Sequence, residues 1–174
     1  MSTGRRGPTG MTAIRAATPA DLPDILRLVR GLAEYEHLAH EFTATEATFD
    51  RLLFAPGALA EALLAEAPGG GLVGIALFFR TVNTFKGQIG LFLEDLFVEP
   101  NSRGLGFGTA LLRHLARLAV ERNHHVIEWR VLNWNEPSIQ FYRKLGAAKM
   151  TDWQVRRLFG PALTALAAGE TPHG

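Results

Sequence analysis

Hydrophobic positions near the start of the chain recur at the spacing of a helix. The intervals of three and four residues predict an amphipathic helix that ends near Glu36; its apolar positions are Leu22, Ile25, Leu26, Val29, Leu32 and Ala33. The preceding Thr18-Pro19-Ala20-Asp21 is typical of a helix start, with a Thr cap, Pro in the first turn and an acid three residues after the cap. A second helix is predicted over Thr43–Phe54, with Thr43 and Glu46 as its capping pair.

The period then changes to that of strands rich in Val, Ile, Leu and Phe. The predicted strands are Thr12–Ala17, Glu61–Ala67, Leu72–Val82, Gln88–Val98 and Val126–Leu132, with a final strand or two within Ala147–Phe159. Helices are predicted over Leu105–Val120 and Asn135–Leu145, the latter closed by Gly146. The three central strands are joined by short turns, which predicts an antiparallel meander. The fold class is therefore α/β, with one mixed sheet and helices on both faces.

Length and composition limit the classes of function. A chain of 174 residues, 47% hydrophobic and 20% charged, is typical of one globular domain. We predict that this domain spans residues 11–168, between a disordered tail at 1–10 and a frayed end at 169–174. A net charge of +1 gives no reason to expect nucleic acid binding. With no apolar run of ~18 residues and no signal peptide, a cytoplasmic protein that does not bind membranes is expected.

One segment joins an apolar strand to a glycine-rich loop and then to a helix. Arg103, Gly104, Gly106 and Gly108 form an R-x-x-G-x-G pattern that differs from the Rossmann and P-loop patterns. Glycines at a helix N-terminus let a phosphate reach unpaired N–H groups, and an adjacent arginine adds positive charge. The sequence therefore predicts a phosphate site, although a tight loop without a ligand would show the same pattern.

Two adjacent carboxylates, Glu94 and Asp95, interrupt the apolar strand before this loop. A carboxylate buried there without a partner would be costly, so at least one must meet a cation or water. A regular strand would point the two side chains to opposite faces, so that they could not serve the same pocket directly. Glu94 is a candidate catalytic base and Asp95 a candidate substrate-binding group, and the alternative is a structural carboxylate at a strand bend.

The last predicted helix carries two further polar candidates. Tyr142 follows Asn135 by seven residues, which places both on a similar side about two turns apart. Periodicity alone favours Tyr142 as an ordinary core residue, and Asn135 is equally well explained as a helix N-cap. The six histidines form no pattern of metal ligands and the chain has no cysteine, so no metal is expected.

The glycine loop in its strand–loop–helix context resembles the acyl-CoA loop of the GNAT superfamily of N-acetyltransferases. Further segments resemble its diamine acetyltransferase (spermidine/spermine N-acetyltransferase) family over about Ile14–Phe159. These segments are Ile14–Asp21, Leu32–Glu36, Leu93–Val98 and Trp134–Tyr142. The resemblance implies a mostly antiparallel sheet of six to seven strands, in which a splayed strand pair holds acyl-CoA. It also implies acetyl-CoA as co-substrate, a small-molecule amine as the other substrate, and a homodimer.

The resemblance assigns roles to individual residues. Tyr142 would protonate the coenzyme A thiolate, and Glu94 would deprotonate the amine through water. The other residues expected to bind the cofactor are Leu96, Phe97, Val98, Arg103, Gly104, Leu105, Gly106, Phe107, Gly108, Thr109, Asn135 and Ser138. The residues expected to bind the amine are Tyr35, Glu36, Glu94, Asp95, Glu128, Trp129 and Arg130.

Departures from the family pattern affect the expected substrate. Thr84 and Gln154 stand where acidic residues are expected in members that acetylate polyamines, and Trp153 and Arg156 are also unlike that pattern. Fewer carboxylates weaken the attraction for a substrate with three or four positive charges. A short diamine or a lysine-like amino acid such as thialysine is therefore expected at least as strongly as spermidine. The alternatives are a protein amine, an aminoglycoside-like compound, or a regulator that binds acyl-CoA without catalysis.

Overall fold

The computed structural model describes residues 13–152 and 154–170. The predicted disordered tail, the domain start at Met11, Thr12 and Trp153 lie outside these ranges, as do the last four residues. Two compact units are present, and the division between them falls after Arg130.

The first unit contains a mixed sheet of five strands. The strands are β1 (Ala13–Ala16), β2 (Glu61–Glu66), β3 (Leu72–Asn83), β4 (Gln88–Val98) and β5 (Ile127–Trp129). They lie side by side in chain order, with antiparallel neighbours from β1 to β4 and a parallel pairing of β4 with β5. The predicted meander is confirmed. The predicted count of six to seven strands is not matched, because five are formed within the described ranges.

Helices pack on both faces of this sheet. They are α1 (Leu22–Tyr35), α2 (Glu46–Leu53) and α3 (Phe107–Glu121). Below α1 and α2 lies a core whose buried members are Ile25, Leu28, Phe49, Leu53, Ala62, Leu64, Leu72, Ile75, Leu77 and Phe97. On the opposite face, α3 packs so closely that a side chain at Gly74 would come within 3.3 Å of Leu111.

The predicted start of the first helix is confirmed. A short 3-10 turn, Pro19–Asp21, leads into α1. The Asp21 carboxylate accepts hydrogen bonds from the backbone N–H and the hydroxyl of Thr18, both at 2.8 Å. It also accepts two from the Arg15 guanidinium, at 2.7 and 2.8 Å. The Arg15 and Thr18 donors hold the pKa of this buried carboxyl well below its usual range.

Replacing Asp21 with asparagine should destabilise the fold. An amide cannot accept the forked pair from Arg15 while also accepting from Thr18, so we expect the free energy of unfolding to fall by about 2–3 kcal/mol. Urea unfolding at pH 7 measures this difference. Asp24→Asn is the control, because Asp24 pairs with Arg27 on the surface and should lose at most about 1 kcal/mol. Equal losses in the two variants would contradict the structural role of Asp21.

The second helix differs from its prediction at its N-terminus. It begins at Glu46, and its cap is Thr45, whose hydroxyl accepts a hydrogen bond from the Thr48 backbone N–H at 3.3 Å. The predicted capping pair of Thr43 and Glu46 is therefore wrong by two residues. The sequence offers a Thr at both positions, and the one followed three residues later by another hydroxyl side chain forms the reciprocal pair.

The second unit contains α4 (Glu136–Lys144) and α5 (Gly160–Ala167). The strand or strands predicted within Ala147–Phe159 are not formed at the described positions of that range. A strand requires a neighbour for its backbone groups, and no pairing is present there. The chain instead enters α5 at Gly160-Pro161, a helix that was not predicted. Among residues 13–152 and 154–170, no helix combines the length and apolar character that crossing a bilayer demands.

Candidate functional site

A β-bulge lies at the centre of β4. Leu77 of β3 pairs with Asp95, but the next residue, Phe78, pairs with Leu93, so Glu94 is an extra residue on β4. A bulge of this kind shifts the alternation of side chains by one position. The regular alternation expected for Glu94 and Asp95 therefore fails at this point.

The bulge places Asp95 on the face of the sheet covered by α1 and α2. Residues that pair across strands share a face, so Asp95 lies with Leu77, a member of the core beneath those helices. Leu93 lies on the other face with Phe78, although it is separated from Asp95 by two positions. A carboxylate thus occupies a place next to an apolar core.

The environment of Asp95 makes its carboxyl a weak acid. Burial raises its pKa, the negative charges of Glu94 and Glu36 act in the same direction, and together they bring it to about 7. Burial also raises the pKa of Glu36, which directly follows α1. Three carboxyl groups therefore share one region, and at neutral pH Asp95 exchanges a proton easily. This is the property required of a general base.

Glu94 differs from Asp95 in its surroundings. Its side chain is about half exposed, and its Oε2 lies 3.6 Å from the nearest guanidinium nitrogen of Arg130. The Arg130 guanidinium also lies 5.1 Å from the ring centroid of Phe92, which stacks on Phe79. Since Phe79 and Phe92 pair across β3 and β4, they form an aromatic floor on the same face as Asp95. Neither ring of this floor is among the site residues predicted from the sequence.

Arg103 stacks on Tyr35 and Phe97 at the same face of the sheet. The Arg103 guanidinium lies 4.4 Å from the ring centroid of Tyr35 and 5.7 Å from that of Phe97. Its Nε donates a hydrogen bond of 3.0 Å to the carbonyl of Val98. Arg103 thus connects the glycine loop with the end of α1 and with β4. The ring of Phe97 is buried in the core.

The edge of β4 opens immediately before the bulge. The parallel pairing with β5 ends at Leu93 and Trp129, and no described residue pairs with β4 on that side from Glu94 onward. The Glu99 N–H donates a hydrogen bond to the carbonyl of Val73 on β3, whereas the Val98 carbonyl accepts one from the Arg103 side chain. Because backbone groups alternate along a strand, those of Leu96 and Val98 face the open edge. The pairing of β4 with β5 thus ends at Leu93, one residue before the bulge.

The glycine loop leads from this edge to the N-terminus of α3. Gly104 and Gly106 have φ angles of +76° and +91°, and added side chains would meet no atom within 4 Å. The N-cap is Gly106, and the first helical hydrogen bond joins the Ala110 N–H to its carbonyl at 2.9 Å. The N–H groups of Phe107, Gly108 and Thr109 therefore have no acceptor within the helix. Leu105 is exposed, and the buried Phe107 anchors the first turn.

The predicted β5 residues lie on two faces. Glu128 pairs with Phe92 and shares the face of the aromatic floor, as does Arg130, whereas Trp129 pairs with Leu93 on the other face. The register thus brings Glu128 and Arg130, but not Trp129, to the face that carries Asp95.

The remaining predicted residues belong to the second unit. Asn135 is buried and caps α4, since its Oδ1 accepts a hydrogen bond of 3.3 Å from the Ser138 N–H. The N-cap interpretation of Asn135 is therefore confirmed. Tyr142 is partly buried, and its ring centroid lies 5.3 Å from that of Phe141. The two turns that separate Asn135 from Tyr142 place both on one side of α4.

Comparisons with known proteins agree with this geometry. The model of the acetyltransferase (GNAT) family matches residues 24–147. Thialysine N-ε-acetyltransferase of Bos taurus is 34% identical over 164 residues, which cover 88% of this chain and 96% of that protein. The human spermidine/spermine N(1)-acetyltransferase-like protein 1 is 33% identical over 152 residues, covering 84% of this chain and 22% of that protein.

Among solved structures, an integron cassette protein of V. cholerae has the same fold. It superimposes with a TM-score of 0.75 at 23% identity, covering 90% of this chain and 97% of that one. The family match spans β4, the glycine loop, α3 and α4, which are the elements that carry the candidate residues. The resemblance inferred from sequence motifs is therefore confirmed. The chain belongs to the GNAT family of acetyltransferases.

Proposed function

We propose that the protein is an acetyl-CoA-dependent N-acetyltransferase that acetylates a primary amine of a small molecule by direct attack in a ternary complex. The observation that carries the proposal is the arrangement along β4. An open strand edge, a half-buried carboxyl with a pKa of about 7 and a free helix N-terminus follow one another within one short stretch of chain.

The residues present fit acetyl-CoA. The open edge at Leu96 and Val98 offers backbone groups that an extended amide-containing arm can bind in the manner of an added strand. The unpaired N–H groups at the start of α3 suit a pyrophosphate, and no acidic side chain lies in the first turn to oppose it. For Asn135 and Ser138, the proposal rests on the family motif. When bound, acetyl-CoA supplies an acetyl group activated as a thioester.

Asp95 is proposed as the group that accepts the proton of the amine. An alkylamine reaches the site as an ammonium ion with a pKa near ~10, and it must lose a proton before it attacks. The charges of Glu36 and Glu94 attract this cation. Asp95 is favoured over Glu94 because it is largely buried and its pKa is matched to neutral pH, whereas Glu94 is half exposed and lies beside Arg130. As the C–N bond forms and the C–S bond breaks, the departing sulfur requires a proton.

Tyr142 is proposed as the donor of that proton, on the strength of its place in the family motif. Tyr142→Phe removes one hydroxyl and should lower kcat roughly a hundredfold, which is typical of the loss of a general acid. The measurement is amine-dependent release of free thiol from acetyl-CoA, with thermal unfolding as a check on folding. Phe141→Leu, which changes the neighbouring ring and leaves the hydroxyl, should retain most of the activity.

This experiment tests the proposed function as well as the residue. Thiol release that depends on a small amine, and that falls sharply in Tyr142→Phe, is the expected result. Tight binding of acetyl-CoA without turnover of any amine would contradict the proposal and favour a regulator that binds acyl-CoA. The homodimer and the cytoplasmic location remain predictions.

The proposed substrate class is a short diamine or a lysine-like amino acid. The carboxyl groups of Glu36, Glu94 and Asp95 provide a compact site for one or two ammonium groups. Thr84 and Gln154, at positions where we expected acids in polyamine-acetylating members, are exposed and add no negative charge. A long polycation would therefore gain little from its outer charges.

A further inference from the structure

Arg130 lies beside the carboxyl group of Glu94, where the binding of an ordinary amine does not require a positive charge. Its guanidinium lies over the Phe92 ring and near Glu94, and it donates no hydrogen bond within the described ranges. The contact to Glu94 is a single separation of 3.6 Å between half-exposed groups, which makes it a weak pair. The planar donor fork of Arg130 is therefore available to a ligand.

A positive charge at position 130 weakens the binding of a substrate that carries only positive charges. Like charges brought together across a binding site weaken binding and reject wrong partners. A site built for a diamine or polyamine would gain affinity from any neutral residue at position 130. A guanidinium is instead the group that binds a carboxylate through two parallel hydrogen bonds.

We propose that Arg130 and Glu94 together bind the α-carboxylate and the α-ammonium of a diamino acid, so that its side-chain amine extends to Asp95. The adjacent positive and negative groups of Arg130 and Glu94 match the adjacent negative and positive groups of such a substrate. The aromatic floor of Phe79 and Phe92 lies beneath this head group. The inference rests on the proposed function and narrows its substrate class from short diamines and lysine-like amino acids to diamino acids alone.

The test compares substrates that differ only in the carboxylate. Lysine is paired with cadaverine, ornithine with putrescine, and thialysine with its decarboxylated analogue. For the wild-type protein, we expect kcat/KM to be at least about tenfold higher for the amino acid of each pair. Arg130→Gln removes the charge and should reverse this preference, by raising KM for the amino acid and lowering KM for the diamine. Arg130→Lys should restore part of the preference, since it restores the charge without the fork.

A matched control distinguishes the loss of a positive charge at position 130 from the loss of one elsewhere on the sheet. Arg80 is an exposed arginine of β3 that pairs with Leu91 and so points to the other face. Arg80→Gln should leave the ratio of the two kcat/KM values as it is in the wild type. An Arg130→Gln variant that lowers turnover of both members of a pair equally would overturn the inference, because Arg130 would then act only through Glu94.

Failure of the proposed function would be seen separately. If no amine is turned over, the proposed function falls, and calorimetric affinities of the same pairs for the CoA-bound protein decide the inference. Tighter binding of the amino acid that is lost in Arg130→Gln would support it. Equal affinities within each pair, or a preference for the diamine in the wild type, would overturn it.

Discussion

Replacing Asp95 with asparagine should lower kcat/KM for the amine by at least about a hundredfold at pH 8, the scale typical of a lost general base. Asparagine keeps nearly the same shape in the same half-buried place but cannot accept the proton. The measurement is steady-state thiol release at saturating acetyl-CoA. Activity close to that of the wild type would remove Asp95 from the proposed mechanism and return Glu94 to the role of base.

The pH dependence of kcat/KM identifies the base independently of how much activity Asp95→Asn loses. In the wild type, kcat/KM should fall as the pH drops below about 7, because Asp95 then takes up a proton and can no longer accept one from the amine. Glu94→Gln removes a negative charge that raises the pKa of Asp95, so the fall in kcat/KM should move to lower pH. In Asp95→Asn this fall should disappear. If the fall stays at the same pH in Asp95→Asn, it belongs to the titration of another group.

Asp95→Asn should also raise the free energy of unfolding, by an amount that depends on pH. The pKa of Asp95 is about 7 in the folded state and about 3.8 in the unfolded state. A raised pKa favours folding when the carboxyl is protonated, and this contribution is lost as the pH rises towards and through 7. The stability gained from Asp95→Asn should therefore grow by roughly 2 kcal/mol between pH 5 and pH 8. Urea unfolding at the two pH values measures it.

Replacing Gly106 with alanine should raise the Kd for coenzyme A about tenfold. At a φ of +91° an alanine is strained by about 1–2 kcal/mol, and relief of that strain would turn the N–H groups at the start of α3 away from their present directions. Calorimetric titration with coenzyme A measures the effect.

A second glycine provides the control for this prediction. Gly70 in the turn between β2 and β3 has a φ of +94° and the same open surroundings. Gly70→Ala should cost similar stability without changing the Kd. If Gly106→Ala loses stability but binds coenzyme A as well as the wild type does, the loop is not a phosphate site.

Local patterns in the sequence were sufficient to predict the elements that frame the site. The bounds of β4, Gln88–Val98, agree with the prediction because Phe and Leu fill the strand between a polar turn and Pro100. The glycine loop and the start of α1 carry cap and turn residues whose chemistry acts within a few positions. Each of these features depends on neighbours in the chain, so a single sequence contains the information.

The bulge at Glu94 could not be predicted in this way, because an extra residue has no preferred composition. The sequence indicates the bulge only indirectly. Alternate positions of the strand are occupied by Leu91, Leu93, Asp95 and Phe97, so a regular strand would place a carboxylate on the same face as three buried apolar residues. The stacking of Arg103 on Tyr35 and of Arg130 on Phe92 was also missed, since each pair is distant in sequence. The region from Ala147 to Phe159 was misjudged because strand formation depends on a pairing neighbour.

Identification of the acetylated product shows which amine the protein acetylates. The protein is incubated with acetyl-CoA and an equimolar mixture of lysine, ornithine, thialysine, cadaverine, putrescine, spermidine, spermine, an aminoglycoside and a lysine peptide, and mass spectrometry shows which compound gains an acetyl group. We expect N-acetylation of the diamino acids first, and we expect it to depend on Asp95. Acetylation of the aminoglycoside or the peptide alone, or of no compound while acetyl-CoA is bound, would contradict it.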